Sequence, residues 1–367
     1  MTRTRTTTIR ALTLAIAATF AFSIQIAAAK TNGKKQGLWV GGEKYFSEFQ
    51  GKALKQGGTP RANLAFGSTV YFAPLSIAFD GNQNFWAVFS GINDNLPAPA
   101  LELTRGELAA LKAGNLVQPK VIISRQGNST APFSVPESIG FDAAGDLWVI
   151  DGGQQIIELL ASQIKKSGGP TPTVSITSAN AIPTKLRFDG SDNLWVVEFQ
   201  LPFDVTKPAQ IWRFAPSDRT SSGPANPALI VNLPLDFVPA DFAFDDSGNL
   251  WLAGNNLFGD SIEMFAAADL AGTGEISPTI GVSINSPAFG SSTNCLGGID
   301  FDASGDLWVS VGSDVCGNGA VPDQLVEFTP AQLSAGGNLT PTVIIGDNKR
   351  GTNLFTPGPL RFGPSVQ

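Results

Sequence analysis

The amino-acid sequence predicts an all-β protein: a six-bladed β-propeller of four-stranded antiparallel blades, closed by pairing of the N- and C-terminal strands. Three observations predict it. A Phe-Asp turn followed by a tryptophan recurs at Phe79-Asp80…Trp86, Phe141-Asp142…Trp148, Phe188-Asp189…Trp195, Phe244-Asp245…Trp251 and Phe301-Asp302…Trp308. Tryptophans 39, 86, 148, 195, 251 and 308 lie 47 to 62 residues apart, near the roughly 40–50 residues of a four-stranded blade plus loop insertions. The two ends of the chain each carry half of one repeat.

Residues 138 to 176 show the order within a unit. Ser138-Ile139-Gly140-Phe141 reads as a first strand and Asp146 to Ile150 as a second, Ile156 to Leu160 as a third and Thr173 to Ile176 as a fourth. Asp142-Ala143-Ala144-Gly145 joins the first two with the residue preference of a type I turn, the Asp side chain accepting bonds from turn amides. The third strand is marked by Glu before an apolar residue: Glu48-Phe49, Glu102-Leu103, Glu158-Leu159, Glu263-Met264 and Glu327-Phe328, with Arg213-Phe214 in the sixth slot. A connector of apolar residue, Gly and Pro follows, as in Leu54…Gly57…Pro60, Ile164…Gly168…Pro170 and Leu333…Gly336…Pro341. Such a stretch suggests one helical turn ending at the Gly.

Gly37-Leu38-Trp39-Val40 is a second strand with no first strand before it, and Pro359 to Gly363 is a first strand with no second after it. Together they make one blade. Five complete hairpins and this split one give six, and their pairing removes the open sheet edge.

Composition fits one large domain over residues 30–367, because 43% hydrophobic and 15% charged residues, with 40 Gly and 25 Pro, supply sheet faces and turns without a dividing linker. Residues 1–29 read as a secretory signal peptide. Arg3, Arg5 and Arg10 precede an apolar run from Ala11 to Ile26, and Ala27-Ala28-Ala29 offers a cleavage site before Lys30. An uncleaved membrane anchor is the alternative, although Thr13, Thr19, Ser23 and Gln25 interrupt a run already short for a span. The expected location is periplasmic or secreted, with no membrane span after cleavage. Cys295 and Cys316 enter and leave the sixth hairpin at the same end, so a disulfide between them is expected, worth roughly 3 kcal/mol in the chain-entropy model.

The net charge is -7, and loss of the three signal arginines leaves residues 30–367 at -10. Nucleic acid is a poor partner for such a surface. There is no His, which removes Ser-His-Asp hydrolysis, the preferred nitrogen ligand of zinc and the usual neutral-pH proton shuttle. A glycine-rich phosphate loop between a strand and a helix is also missing.

The unit from Pro136 to Asp151, proline, a short apolar strand, Asp, a turn with Gly, Asp and an aromatic strand ending in Asp, resembles the NHL repeat and its relatives in the gluconolactonase/senescence-marker superfamily. The likeness covers nearly all of residues 37 to 363. It implies a six-bladed propeller, and, in lactonase-like members, a divalent cation at the top of the channel held just after the proline that opens each inner strand. Those positions here are Leu75, Glu137, Thr184, Ala240, Gly297 and Gly358. Glu137 matches, and Asp241 stands one residue displaced.

Two functions are expected on this basis. One is a module that binds a small molecule or an extracytoplasmic protein through its top-face loops, where Asn93, Asp94, Glu137, Asp151, Lys185, Glu198, Phe203, Asp204, Asn255, Asn256, Asp260 and Asp314 fall. Asp151 and Glu198 both stand three residues after a tryptophan, a placement that repeat geometry alone explains. The other is a Ca²⁺-assisted hydrolase or lyase of a lactone or small sugar-derived substrate, with Glu137 and Asp241 as ligands and a metal-activated water.

Overall fold

The computed structural model describes residues 36–366 apart from 43–44, 68–71, 91–97, 125–134, 153, 201–206, 257–258, 290–294, 313–322, 347–353 and 355–356. Six sheets are arranged as blades. Blade 1 joins both ends of the chain: Leu360–Pro364 pairs antiparallel with Gln36–Gly41, in register Trp39 to Arg361, and Phe46–Phe49 and Leu64–Phe66 follow outward. The inner strands of blades 2 to 6 are Phe72–Phe79, Pro136–Phe141, Ala181–Phe188, Val238–Phe244 and Leu296–Phe301.

Why Phe, Asp and Trp recur is visible at the seams between blades. Each tryptophan packs on the repeat phenylalanine of the following blade: Trp39 on Phe79 at 5.9 Å between centroids, Trp86 on Phe141 at 5.7 Å, Trp148 on Phe188 at 6.4 Å, Trp195 on Phe244 at 5.3 Å and Trp251 on Phe301 at 6.1 Å. Trp308 meets Phe362 at 6.5 Å and completes the circle. Tilted and edge-on pairs of this kind add about 0.5–1.5 kcal/mol each beyond their burial. The Asp fixes the turn and the indole together. Asp189 takes the amides of Ser191 and Asn193 on one oxygen and the indole N–H of Trp195 on the other at 2.8 Å, and Asp80, Asp142 and Asp245 repeat this arrangement.

A second seam bond lies in the inner layer. The Ser76 hydroxyl accepts the Ile139 amide of the next blade at 3.2 Å, Ser138 accepts Leu186 at 3.1 Å and Asp241 accepts Ile299 at 3.2 Å. At the rim, connectors give the expected short helices, Lys52–Gln56 and Pro330–Ala335, each ended by a Gly at φ 62°, where a side chain would be strained.

Two expectations are corrected here. Blades 3, 4 and 5 have five strands rather than four, because the next blade's connector adds a short parallel segment to the outer edge: Gly223–Pro224, Gly274–Ile276 and Gly337–Asn338. This addition covers an otherwise open edge strand. The Glu263-Met264 register is also one residue off. Trp251 pairs with Met264, whereas Trp148 pairs with Glu158 and Trp308 with Glu327. Glu263 therefore faces the other way, and its buried carboxylate accepts the hydroxyls of Ser261 and Ser283.

Candidate functional site

Inner strands alternate, so the residues one and three places before each repeat phenylalanine share a face. The first layer reads Ala78, Gly140, Arg187, Ala243, Asp300 and Arg361, and the second Ser76, Ser138, Lys185, Asp241, Gly298 and Pro359. Most are small or neutral. The five charged ones form a network across the channel.

Arg187 donates to Asp300 at 2.9 Å, to Asp241 at 3.0 Å and to the Ile299 carbonyl. Arg361 reaches the same Asp241 oxygen at 3.3 Å, and the second oxygen of Asp300 takes the Phe362 amide at 2.7 Å. The Arg187 guanidinium also lies 5.8 Å from the Phe242 ring. Burial alone would raise the Asp241 carboxyl; Arg187, Arg361 and Lys185 outweigh it and hold the group below its ordinary range. Lys185, whose amine is pushed down by burial, donates to the Leu75 carbonyl at 3.4 Å. Glu137, on the neighbouring inner strand, is pushed up by burial and drawn back by Lys185. Three cations thus offset three carboxylates.

The predicted residues sort accordingly. Glu137, Lys185 and Asp241 come together in the channel. Asp151 is a structural acceptor for the Val135 amide at 2.9 Å. Glu198 is fully buried on blade 4, its carboxyl pushed well up by burial. Asn255 and Asn256 pair across a hairpin with Asp260 and Gly259, and Asp260 accepts the Cys295 amide at 2.8 Å. Asn93, Asp94, Phe203, Asp204, Asp314 and Cys316 lie outside the described residues. Arg187, Asp300 and Arg361 were not among the predicted site residues. The signal that finds them is comparison of the repeats: charge appears in a layer that three blades fill with Ala or Gly.

The cation site implied by the family resemblance does not fit these residues. One Asp241 oxygen takes two guanidinium groups and an amide, and although its other oxygen and the Thr184 hydroxyl are buried with no partner among the described residues, these two with Glu137 fall well short of a cation's oxygen set. Lys185 adds a third positive charge nearby, and Leu75, Ala240, Gly297 and Gly358 offer no side-chain oxygen. Ca²⁺ takes 6–8 oxygens.

Two other carboxylate groups lie under the blades. Asp142, Asp146 and Glu158 approach within 4.8 Å of one another, and Arg219 offsets part of their charge, donating to Asp142 at 2.9 Å and to Asp192 while lying 5.2 Å from the Trp148 ring. The equivalent set in blade 6, Asp302, Asp306 and Glu327, is raised throughout, and the Trp308 indole N–H, bonded to Asp in blades 2 to 5, is buried with no partner among the described residues. Burial first, then Asp306 and Asp302, lift Glu327 to about 7.

A carboxyl raised in the fold destabilises it once ionised, so this part of the stability is present below about pH 4.5 and lost as pH rises towards 7. Glu327→Gln is therefore expected to stabilise the protein by roughly 1–2 kcal/mol at pH 8, after allowing for water at the blade edge. It should do little at pH 4.5. Thermal melts of both proteins across that range check it.

No protein-family model and no curated protein match this chain. Solved structures do. A protein of unknown function from Bacteroides caccae superposes with a TM-score of 0.56 at 14% identity, covering 90% of this chain and 100% of the other. The periplasmic gluconolactonase PpgL of Pseudomonas aeruginosa gives 0.53 at 13% identity, covering 90% and 99%. The fold is thus a six-bladed propeller similar to that of PpgL, and at these identities the likeness is one of fold alone.

Proposed function

We propose that this chain is an exported binding propeller, which takes a small molecule or an extracytoplasmic protein on its top-face loops rather than turning over a substrate at a metal. One observation carries the reading: Arg187, Arg361 and Lys185 stand against Asp241 in the part of the channel where a catalytic cation would sit. The absence of His from the whole sequence supports it. Export is supported by the signal-like pattern of residues 1–29, and a Cys295–Cys316 disulfide would suit an extracytoplasmic compartment. The buried Cys295 supports the pairing, since its carbonyl accepts the amide of Gly312, four residues before Cys316 in the sequence.

Calorimetric titration with Ca²⁺ tests the proposal. The expected result is no saturable heat, together with no lactone hydrolysis. Calcium-dependent hydrolysis abolished by Glu137→Gln would show that the protein is an enzyme after all. For the binding reading itself, a captured partner should be lost on substituting Phe203 or Asp204. Intact mass of the exported protein should start at Lys30 and be two hydrogens short of the dithiol.

A further inference from the structure

The Phe-Asp turns surround a cavity of about 290 Å³ at the end of the channel opposite the top-face loops. Five of the six repeat phenylalanines wall it, each partly exposed there while its ring packs on a tryptophan. Five aspartates line it against one cation, Arg187, which Asp241 and Asp300 already hold. We propose that this cavity binds a small organic cation, an amine, guanidine or quaternary ammonium on a polar body. The inference goes beyond the function proposed above, since it concerns the opposite face.

The repeat accounts for much of this lining but not for three of its residues. Asp80, Asp189 and Asp302 hold turn amides, as the fold requires. Asp246, by contrast, is exposed and stands where the other turns carry Gly81, Ala143, Gly190 and Ala303. Gln83 occupies the left-handed turn position at φ 64°, as Asp192 of blade 4 does at φ 62°, where blades 3, 5 and 6 use Gly145, Gly248 and Gly305. A non-glycine residue held there costs about 1 kcal/mol. Asp300 replaces the Ala or Gly that Ala78, Gly140 and Ala243 represent. These three line this one cavity, whereas the comparable departures Asp192 and Arg361 are turned to Arg219 and Asp241 and do not. Local departures from an otherwise consistent repeat gather where function overrides folding.

The chemistry of the walls selects the ligand class. A hard metal ion needs several free oxygens, and three of these carboxylates are already bonded to turn amides. An alkylated cation instead gains from aromatic walls and from uncompensated negative charge together. The Gln83 oxygen accepts Arg105 at 3.4 Å, which leaves its NH2 to donate to a hydroxyl on the ligand.

Calorimetry on the intact protein at low ionic strength tests this with choline, agmatine and the neutral choline isostere 3,3-dimethylbutan-1-ol. The expected result is one-to-one saturable binding of at least one cation and none of the isostere. Asp246→Asn, which removes an exposed turn charge, should weaken the cation by about tenfold, and Gln83→Gly, which relieves backbone strain, should weaken it without loss of thermal stability. The proposal is overturned by no saturable binding of either cation up to about 10 mM, by equal binding of the isostere, or by cation affinity that neither variant changes. Neither substitution touches the top face, so failure here leaves the proposed function standing, and failure of that reading leaves this result standing.

Discussion

Deleting Arg361–Gln367 is expected to abolish cooperative folding. The segment closes the ring in three ways. Its strand supplies most of the register against Gln36–Val40, without which blade 1 has an open inner edge. Its Phe362 is the partner of Trp308, and its Arg361 one of the two guanidinium groups on Asp241. Its last described residues form a latch over blades 1 and 2. The Pro364 carbonyl accepts the Trp39 indole at 3.3 Å, the Val366 amide donates to Glu48 at 2.9 Å, and the Val366 carbonyl accepts Lys112 at 2.8 Å and Asn63 at 3.2 Å. Removing them leaves the buried Glu48, already raised by burial, without the amide that offsets it. Loss of a strand, a seam and a buried ion pair exceeds the roughly 5–15 kcal/mol by which such a domain is stable. The deletion should give an aggregating or unfolded chain by circular dichroism, whereas removal of Val366 and Gln367 alone should cost about 2–4 kcal/mol. A sharp melt within a few degrees of the parent for the full deletion would mean that closure does not hold the ring.

The architecture was legible because each of its causes is local in sequence. Phe, Asp and Trp at fixed spacing encode the turn, the indole bond and the seam in one motif, so counting motifs counted blades. The split blade was legible for the same reason, since Leu38-Trp39-Val40 and Leu360-Arg361-Phe362 are complementary halves. Glu263 was misplaced because Glu followed by an apolar residue is a weak mark: a shift by one preserves the pattern and reverses the face. The connectors' parallel pairing left no hydrophobic period to read, as it rests on the backbone groups of Gly223, Gly274 and Gly337.

The site was less legible. Glu137, Lys185 and Asp241 were picked singly, but what Asp241 does depends on Arg187, 54 residues earlier, and on Arg361, 120 later. Such a network follows from ring closure and not from spacing. The family resemblance pointed to Glu137 and Asp241 as ligand positions, but it carries no information on the guanidinium groups that face Asp241 here.

Arg187→Met is the second large effect expected. The substitution keeps most of the side-chain volume and removes a charge that serves two carboxylates with little exposure, 5% for Asp241 and 18% for Asp300. Breaking a buried pair from one side leaves uncompensated charge and typically costs about 3–5 kcal/mol, more than the pair itself contributes. The pH dependence separates this cause from lost packing. In the parent protein the depressed Asp241 carboxyl contributes stability above its ordinary pKa of 3.8 that is lost as pH falls through the lowered value. Without Arg187 the balance at Asp241 moves towards the burial penalty, so protonation should relieve the defect and narrow the gap between variant and parent as pH falls from 8 to 5. Urea denaturation at several pH values measures both quantities. Adding Asp300→Asn to Arg187→Met should recover part of the loss, as coupled neighbours do and independent sites do not. A loss below about 1 kcal/mol, equal at every pH and not altered by Asp300→Asn, would reduce Arg187 to a spacer and reopen the channel to a catalytic cation.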